Sequence, residues 1–176
     1  MNELAGKTVA LFLENLFNDQ EFIYPRYRLE EAGARVIVAA PAAGREYASK
    51  HGLAVTADVA FNELDAAKCD GVVIPGGYAP DLMRRSQAAL AFVRAMDGAG
   101  KLVAYICHAG WVPVSAGILK GRRSTSFISI KDDMVNAGAL WEDGAAVIDR
   151  NLVSSRTPAD LPSFMRAVIT VLQGQS

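Results

Sequence analysis

The amino-acid sequence predicts an α/β fold: an open, mostly parallel sheet with helices on both faces. Four short runs of apolar, β-prone residues recur along the chain, at 7–13 (KTVALFL), 34–40 (ARVIVAA), 70–74 (DGVVI) and 102–106 (LVAYI). Unbroken runs of this kind suit strands buried on both faces. Helical patterns lie between them and the joints are short, so strand–helix–strand crossovers set neighbouring strands parallel. The 176 residues suffice for one domain with a sizeable core, and no internal repeat, linker or low-complexity tract divides them. Residues 1–176 are therefore read as a single domain.

Each element has its own justification. The run 7–13 is a buried strand. Residues 21–32 follow with a helical pattern that turns Phe22, Ile23, Tyr27 and Leu29 inward and Arg26, Arg28 and Glu30 outward, and Gly33 closes it. The run 34–40 completes a βαβ unit. Residues 45–48 and 53–56 pair as a small hairpin off the main sheet. The run 70–74 ends in Pro75-Gly76-Gly77. Residues 87–99 form an amphipathic helix with Leu90, Val93 and Met96 on one stripe. The run 102–106 is the fourth core strand and leads into Cys107.

Beyond Cys107, residues 110–116 are a short helix closed by Gly117, 123–128 a candidate strand, and 131–137 a short helix ending at Gly138. Residues 140–142, 145–149 and 152–154 are short β candidates. The last helix covers 157–172, with Thr157 as N-cap, Pro158 at the first helical position and Asp160 in the first turn.

Composition narrows the function classes. Hydrophobic residues make up 51% and charged residues 21%, the net charge is −1, and the basic residues are scattered, so no nucleic-acid partner is expected. The start Met-Asn-Glu-Leu-Ala-Gly-Lys lacks a signal-peptide pattern, and no apolar stretch approaches the ~18 residues of a membrane span. Two cysteines, Cys69 and Cys107, are too few for a disulfide framework, which points to the cytoplasm and to reduced thiols. No ligand cluster or phosphate loop occurs, so neither a metal nor an organic cofactor is expected.

In open α/β sheets ligands gather outside the carboxyl ends of the strands, where strand order reverses. Three segments end at such positions: Leu13 into 14–21, Ile74 into Gly76-Gly77, and Ile106 into Cys107. A thiol at a strand-to-helix turn feels the positive end of the helix dipole, which favours thiolate. Cys107 is thus either a nucleophile or redox centre, or a buried small hydrophobe, the usual fate of a free cysteine. Cys69 has no polar companions and reads as buried. The glycines let a backbone N–H approach a reacting atom, so Gly77 and the N–H of His108 could build an oxyanion hole; otherwise Gly76-Gly77 is a plain turn.

His108 is the better candidate base of the two histidines, although folding back onto its neighbour's sulfur is awkward; His51 orders its own loop. Glu21 is either the N3 member of a capping box begun by Asn18 or a carboxyl beside Cys107. Pro25, which cannot donate to the carbonyl of Glu21, would kink a helix there. Asp81 is a turn or helix-start carboxylate, or a group that orients His108 from the same or a neighbouring subunit.

Together these residues resemble the DJ-1/PfpI superfamily, and within it the PfpI-like branch of intracellular cysteine peptidase-like proteins. The segments that carry the resemblance are 21–25 (EFIYP), 74–81 (IPGGYAPD), 104–108 (AYICH), 115–122 (SAGILKGR), 131–138 (KDDMVNAG) and 153–160 (VSSRTPAD). The resemblance implies a flavodoxin-like sandwich related to class I glutamine amidotransferases, with Cys107 as the nucleophile in a strained elbow. It implies a protonated Glu21 hydrogen-bonded to the thiolate, and His108 as base, oriented by Asp81 of a neighbouring subunit. It also implies Arg156 at the pocket and a homodimer or higher homo-oligomer. Relatives commonly continue Cys-His-Gly-Pro; here Ala109 adds a side chain and Trp111 adds bulk, which would reshape the pocket floor. Asp81 is one methylene shorter than the glutamate of some peptidase-like relatives.

Three functions follow as expectations. One is an enzyme in which Cys107 attacks the carbonyl of a small aldehyde or a peptide, giving peptidase, amidase, glyoxalase or deglycase chemistry. The second is an oxidative-stress protein in which Cys107 senses oxidants without turnover. The third is a binding module that keeps only the fold.

Overall fold

The computed structural model describes residues 3–174. Seven strands make the main sheet: β1 (Thr8–Phe12), β2 (Arg35–Ala40), β5 (Val59–Ala60), β6 (Gly71–Ile74), β7 (Leu102–Ile106), β10 (Val147–Asp149) and β11 (Leu152–Ser155). Two smaller sheets pair β3 (Glu46–Ala48) with β4 (Ala54–Thr56), and β8 (Arg123–Ser124) with β9 (Leu140–Trp141). The six α-helices of the described residues are α1 (Asp19–Glu31), α2 (Ala79–Met83), α3 (Gln87–Gly98), α4 (Trp111–Ala116), α5 (Lys131–Asn136) and α6 (Leu161–Gly174).

The strand order is β10-β11-β7-β6-β1-β2-β5, and every pair is parallel except β10 with β11. The chain builds from β1 outward through β2 to β5, then returns to β6 on the other side of β1. Strand order therefore reverses between β1 and β6, and the carboxyl ends of β1, β6 and β7 lie side by side at this switch point. These are the three ends expected from the sequence. Strands β6 and β7 are buried at every residue, as unbroken apolar runs require.

Helix α6 packs its apolar stripe, including Phe164, Met165, Val168 and Leu172, into the core. Each such side chain contributes roughly 1.5–3 kcal/mol by leaving water. The 46–56 hairpin forms as expected. No helix among the described residues is long and apolar enough to cross a membrane.

Several expectations are corrected. Tyr27 is 64% exposed rather than inward, and with Tyr24 it lines a groove of about 720 Å³ between α1 and α6. Helix α1 runs through Pro25, as the 21–32 pattern requires, and begins two residues earlier, at Asp19. Only Arg123–Ser124 of the 123–128 segment is strand, and a 3-10 turn at Ile128–Ile130 follows it. Thr157 makes no side-chain cap; a 3-10 turn, Pro158–Asp160, precedes α6, and the Asp160 carboxylate binds Arg156 at 2.9 and 3.0 Å instead.

Candidate active site

Cys107 leaves β7 with φ 63°, directly after the extended Ile106. A left-handed conformation at a side chain other than glycine costs on the order of 1–3 kcal/mol and persists only where its surroundings enforce it. Here the Phe127 N–H donates to the Cys107 carbonyl at 3.2 Å, and Gly76 crosses so near that a Cβ on it would lie 2.8 Å from the Cys107 Cβ. The thiol is thus turned out of the strand toward the switch point.

Glu21 arrives from α1. Asn18 caps that helix, its side chain accepting from the N–H groups of Gln20 and Glu21. Glu21 does not complete a capping box. It turns inward, fully buried, and its Oε2 accepts the Gly76 N–H at 2.7 Å. Oε1 makes no hydrogen bond of standard geometry among the described residues, although thiol and carboxyl lie close enough to act on each other's protonation.

Gly77, at φ 81°, is locked against residues 16–18: it bridges Phe17, and a Cβ on it would lie 2.6 Å from Asn18 N and Leu16 O. The backbone N–H groups of His108 and Gly77 point at the Cys107 sulfur and favour its anion. Gly76 serves by close approach, since a Cβ there would meet Glu21 Oε2 at 2.6 Å.

Protonation differs from the expectation of a depressed thiol. Burial first, then the Glu21 carboxylate, push Cys107 up to about 12, outweighing those N–H groups. The helix it heads is one 3-10 turn, Cys107–Gly110, and the six residues of α4. Burial pushes Glu21 up to about 7 against the Gly76 N–H and the charge of Lys50. The two groups form one coupled site that holds a single proton between these limits.

His108 Nδ1 lies 3.3 Å from the sulfur, so the neighbour does fold back. Its ring stacks on Phe127 at 4.8 Å and meets Trp111 edge-on at 5.5 Å. Burial, then the charge of Lys50, lower its pKa and favour neutral imidazole. Trp111 is held by a 2.7 Å bond from its Nε1 to Asp133 and by the Arg84 guanidinium over its ring. Ala109 is fully buried in the core cluster that also holds Cys107.

Other expected residues sit farther out. Asp81 lies exposed in the first turn of α2, and its carboxylate has no hydrogen bond or ion pair among the described residues, so the chain does not itself bring it to His108. Arg156 pairs with Asp160 and Asp143 and lines a cavity of about 300 Å³ with Ser126, Phe127 and Trp141. Phe127 joins that cavity to His108. His51 binds Asp19 at 2.8 Å, ordering its loop against α1. Cys69 is buried. Among the described residues, no group of three or more His, Cys, Asp or Glu side chains could hold a metal ion.

A parallel sheet with a strained cysteine turn at its switch point, and a buried carboxyl across from the sulfur, defines a class: flavodoxin-like α/β proteins with a cysteine elbow. The chain belongs within that class to the DJ-1/PfpI family, whose model matches residues 7–171. It is 45% identical to Deglycase PfpI of Pyrococcus furiosus over 164 residues, covering 93% of this chain and 98% of that one. It is 37% identical to Protein/nucleic acid deglycase 2 of Escherichia coli over 169 residues, 95% and 98% of the two chains.

Among solved structures, the chain resembles a two-domain protein of Anabaena variabilis with DJ-1/ThiJ/PfpI-like and ferritin-like domains. The TM-score is 0.93 and the identity 42%, covering 94% of this chain and 48% of that longer one. Drosophila melanogaster DJ-1beta superposes with a TM-score of 0.89 at 29% identity, covering 96% and 91%.

Proposed function

We propose that the protein is a cysteine-dependent enzyme acting on carbonyl compounds, with deglycase activity as its leading form. The observation that carries this is the triangle around one sulfur: Cys107 at φ 63°, the buried Glu21, and His108 Nδ1 at 3.3 Å. Relatives named deglycases favour a reactive aldehyde or its adduct over a peptide.

In the first step a bond forms between Cys107 Sγ and the carbonyl carbon while the C=O π pair moves onto oxygen. The thiol proton passes to the Glu21 carboxylate. The N–H groups of Gly77 and His108 stabilise the oxyanion, and the His108 ring then moves protons on the substrate side. No cofactor enters the step. Arg156, Trp111 and Gly76 shape the surrounding pocket. Asp81 joins only as a group offered to His108 of the partner subunit in a homo-oligomer.

A pure oxidant sensor fits less well, because it gives no part to the His108 ring held 3.3 Å from the sulfur. The test is turnover of methylglyoxal, its adduct with N-acetylarginine, and a peptide amide by wild type, Cys107→Ala and His108→Ala. Wild type is expected to turn over the aldehyde or its adduct, Cys107→Ala neither, and His108→Ala on the order of 100-fold more slowly. Wild type no better than Cys107→Ala on all three would end the enzyme reading.

A further inference from the structure

The loop between β3 and β4 brings to the site a residue whose side chain plays no part in the fold. Residues 48–51 are fastened to the segment that leads into α1. The Leu16 N–H donates to Ala48 O at 2.7 Å, the Ala48 N–H to Asn15 Oδ1 at 3.0 Å, and the Lys50 N–H to Phe17 O at 3.0 Å. Asp19 takes Ser49 Oγ at 2.7 Å and His51 Nδ1 at 2.8 Å. Five bonds thus fix the backbone of Lys50 beside Phe17 and Asn18, which themselves bind Gly77 and Gly76.

The Lys50 side chain is exposed and forms no ion pair or hydrogen bond among the described residues. Its neighbour Asp19 is committed to Ser49 and His51. Other cations around the site are occupied: Arg84 donates to Ser115 Oγ and covers the Trp111 ring, and Arg156 is paired with Asp160 and Asp143. The charge of Lys50 nevertheless reaches both Glu21 and His108, the two groups that flank the sulfur. An unpaired ammonium, tethered by its backbone to the rim of the nucleophile, is poised for an anion that arrives with the substrate.

We propose that Lys50 is a specificity-determining residue that selects carbonyl substrates carrying a carboxylate near the reacting carbon. This rests on Cys107 being the nucleophile and adds the substrate class. The carboxylate would sit between the Lys50 ammonium and the mouth of the elbow, leaving the carbonyl oxygen to the Gly77 and His108 N–H groups. Coulomb attraction at a partly solvated site gives a preference of a fewfold, screened over about 10 Å at 0.1 M salt.

The test uses two reagents of nearly equal size, iodoacetate and iodoacetamide, on the full-length protein. Each forms an S–C bond to Cys107 and expels iodide. Because both meet the same sulfur, any change in thiol reactivity cancels in the ratio of their rates. Rates at Cys107 are read by peptide mass spectrometry, which separates it from Cys69. The iodoacetate-to-iodoacetamide ratio is expected to fall about fivefold in Lys50→Gln at low salt, to be retained in Lys50→Arg, and to fall in wild type as salt is added. A ratio unchanged in Lys50→Gln, or lost equally in Lys50→Arg, would overturn the proposal while leaving the nucleophile intact. A Cys107 labelled by neither reagent would remove the nucleophile reading and this proposal with it.

Discussion

One hydrogen bond of 2.7 Å joins Glu21 to Gly76, from the glycine N–H to Oε2, across 55 positions of sequence. It fixes which oxygen of the carboxyl is spent on the backbone and which remains for the sulfur of Cys107. It also ties the first helix to the loop after β6, so the switch point and the proton-holding site are one construction.

The elevated Glu21 has a consequence for folding. Its folded pKa of about 7 exceeds the ordinary value of 4.5 because burial penalises the charge. The folded state therefore binds the proton more tightly than the unfolded state. The corresponding stability is fully present below about pH 4.5 and is lost as pH rises to about 7, an effect on the order of 3 kcal/mol. Urea denaturation of wild type and Glu21→Gln across this range should show the variant gaining on wild type by that order. A pH-independent difference would contradict the buried carboxyl.

Two glycines should respond oppositely to the same change. A Cβ at Gly76 would lie 2.6 Å from Glu21 Oε2 and 2.9 Å from Ile106 O, whereas one at Gly98 in α3 meets nothing within 4 Å. Gly76→Ala is expected to lose about 1–3 kcal/mol and most activity. Gly98→Ala should be neutral or gain up to about 1 kcal/mol from helix propensity. Thermal melts beside an activity assay decide it, and equal melting points for the two variants would refute the close-approach account.

Arg122 lies at the other end of the sheet. Its side chain is 8% exposed and bonds Asp97 at 3.1 Å, the Asp149 carboxylate at 3.2 Å, the Asp149 carbonyl at 2.7 Å and Asn151 at 2.9 Å. Arg122→Met removes all of these bonds, but Asp149 keeps Arg150 and the Arg123 N–H and Asp97 keeps the Asn151 amide, so the change should cost about 1–3 kcal/mol. Because the Cys107 elbow is at the opposite strand ends, kcat/KM per folded molecule should hold. Denaturation and kinetics on the same preparation test both halves.

The four core strands were legible because apolar runs buried on both faces leave an unbroken pattern, and Cys107 because a strand that stops at a small polar residue marks an elbow. The sequence around Glu21 fits both a cap and a site residue, since only tertiary contact with Gly76 distinguishes the two. Lys50, Phe127 and Asp133 gave no local signal; long-range packing brings the first to the rim, the second onto His108 and the third onto Trp111. Tyr27 follows a helical stripe in sequence yet faces solvent, because α1 buries Glu21, Phe22, Pro25 and Leu29 instead. The Cys107 pKa runs against its local sequence signal for the same kind of reason: a short helix favours the thiolate locally, while burial and a carboxyl from a distant helix outweigh it.

The central claim is that Glu21 receives the Cys107 proton, and the pH dependence of kcat/KM tests it most directly, since that profile reports ionisations of the free enzyme. With methylglyoxal or its N-acetylarginine adduct as substrate between pH 5 and pH 9, wild type should rise through about 7 and level off. Glu21→Gln should be roughly 100-fold slower and lack that rise. Superimposable profiles for wild type and Glu21→Gln would contradict the account.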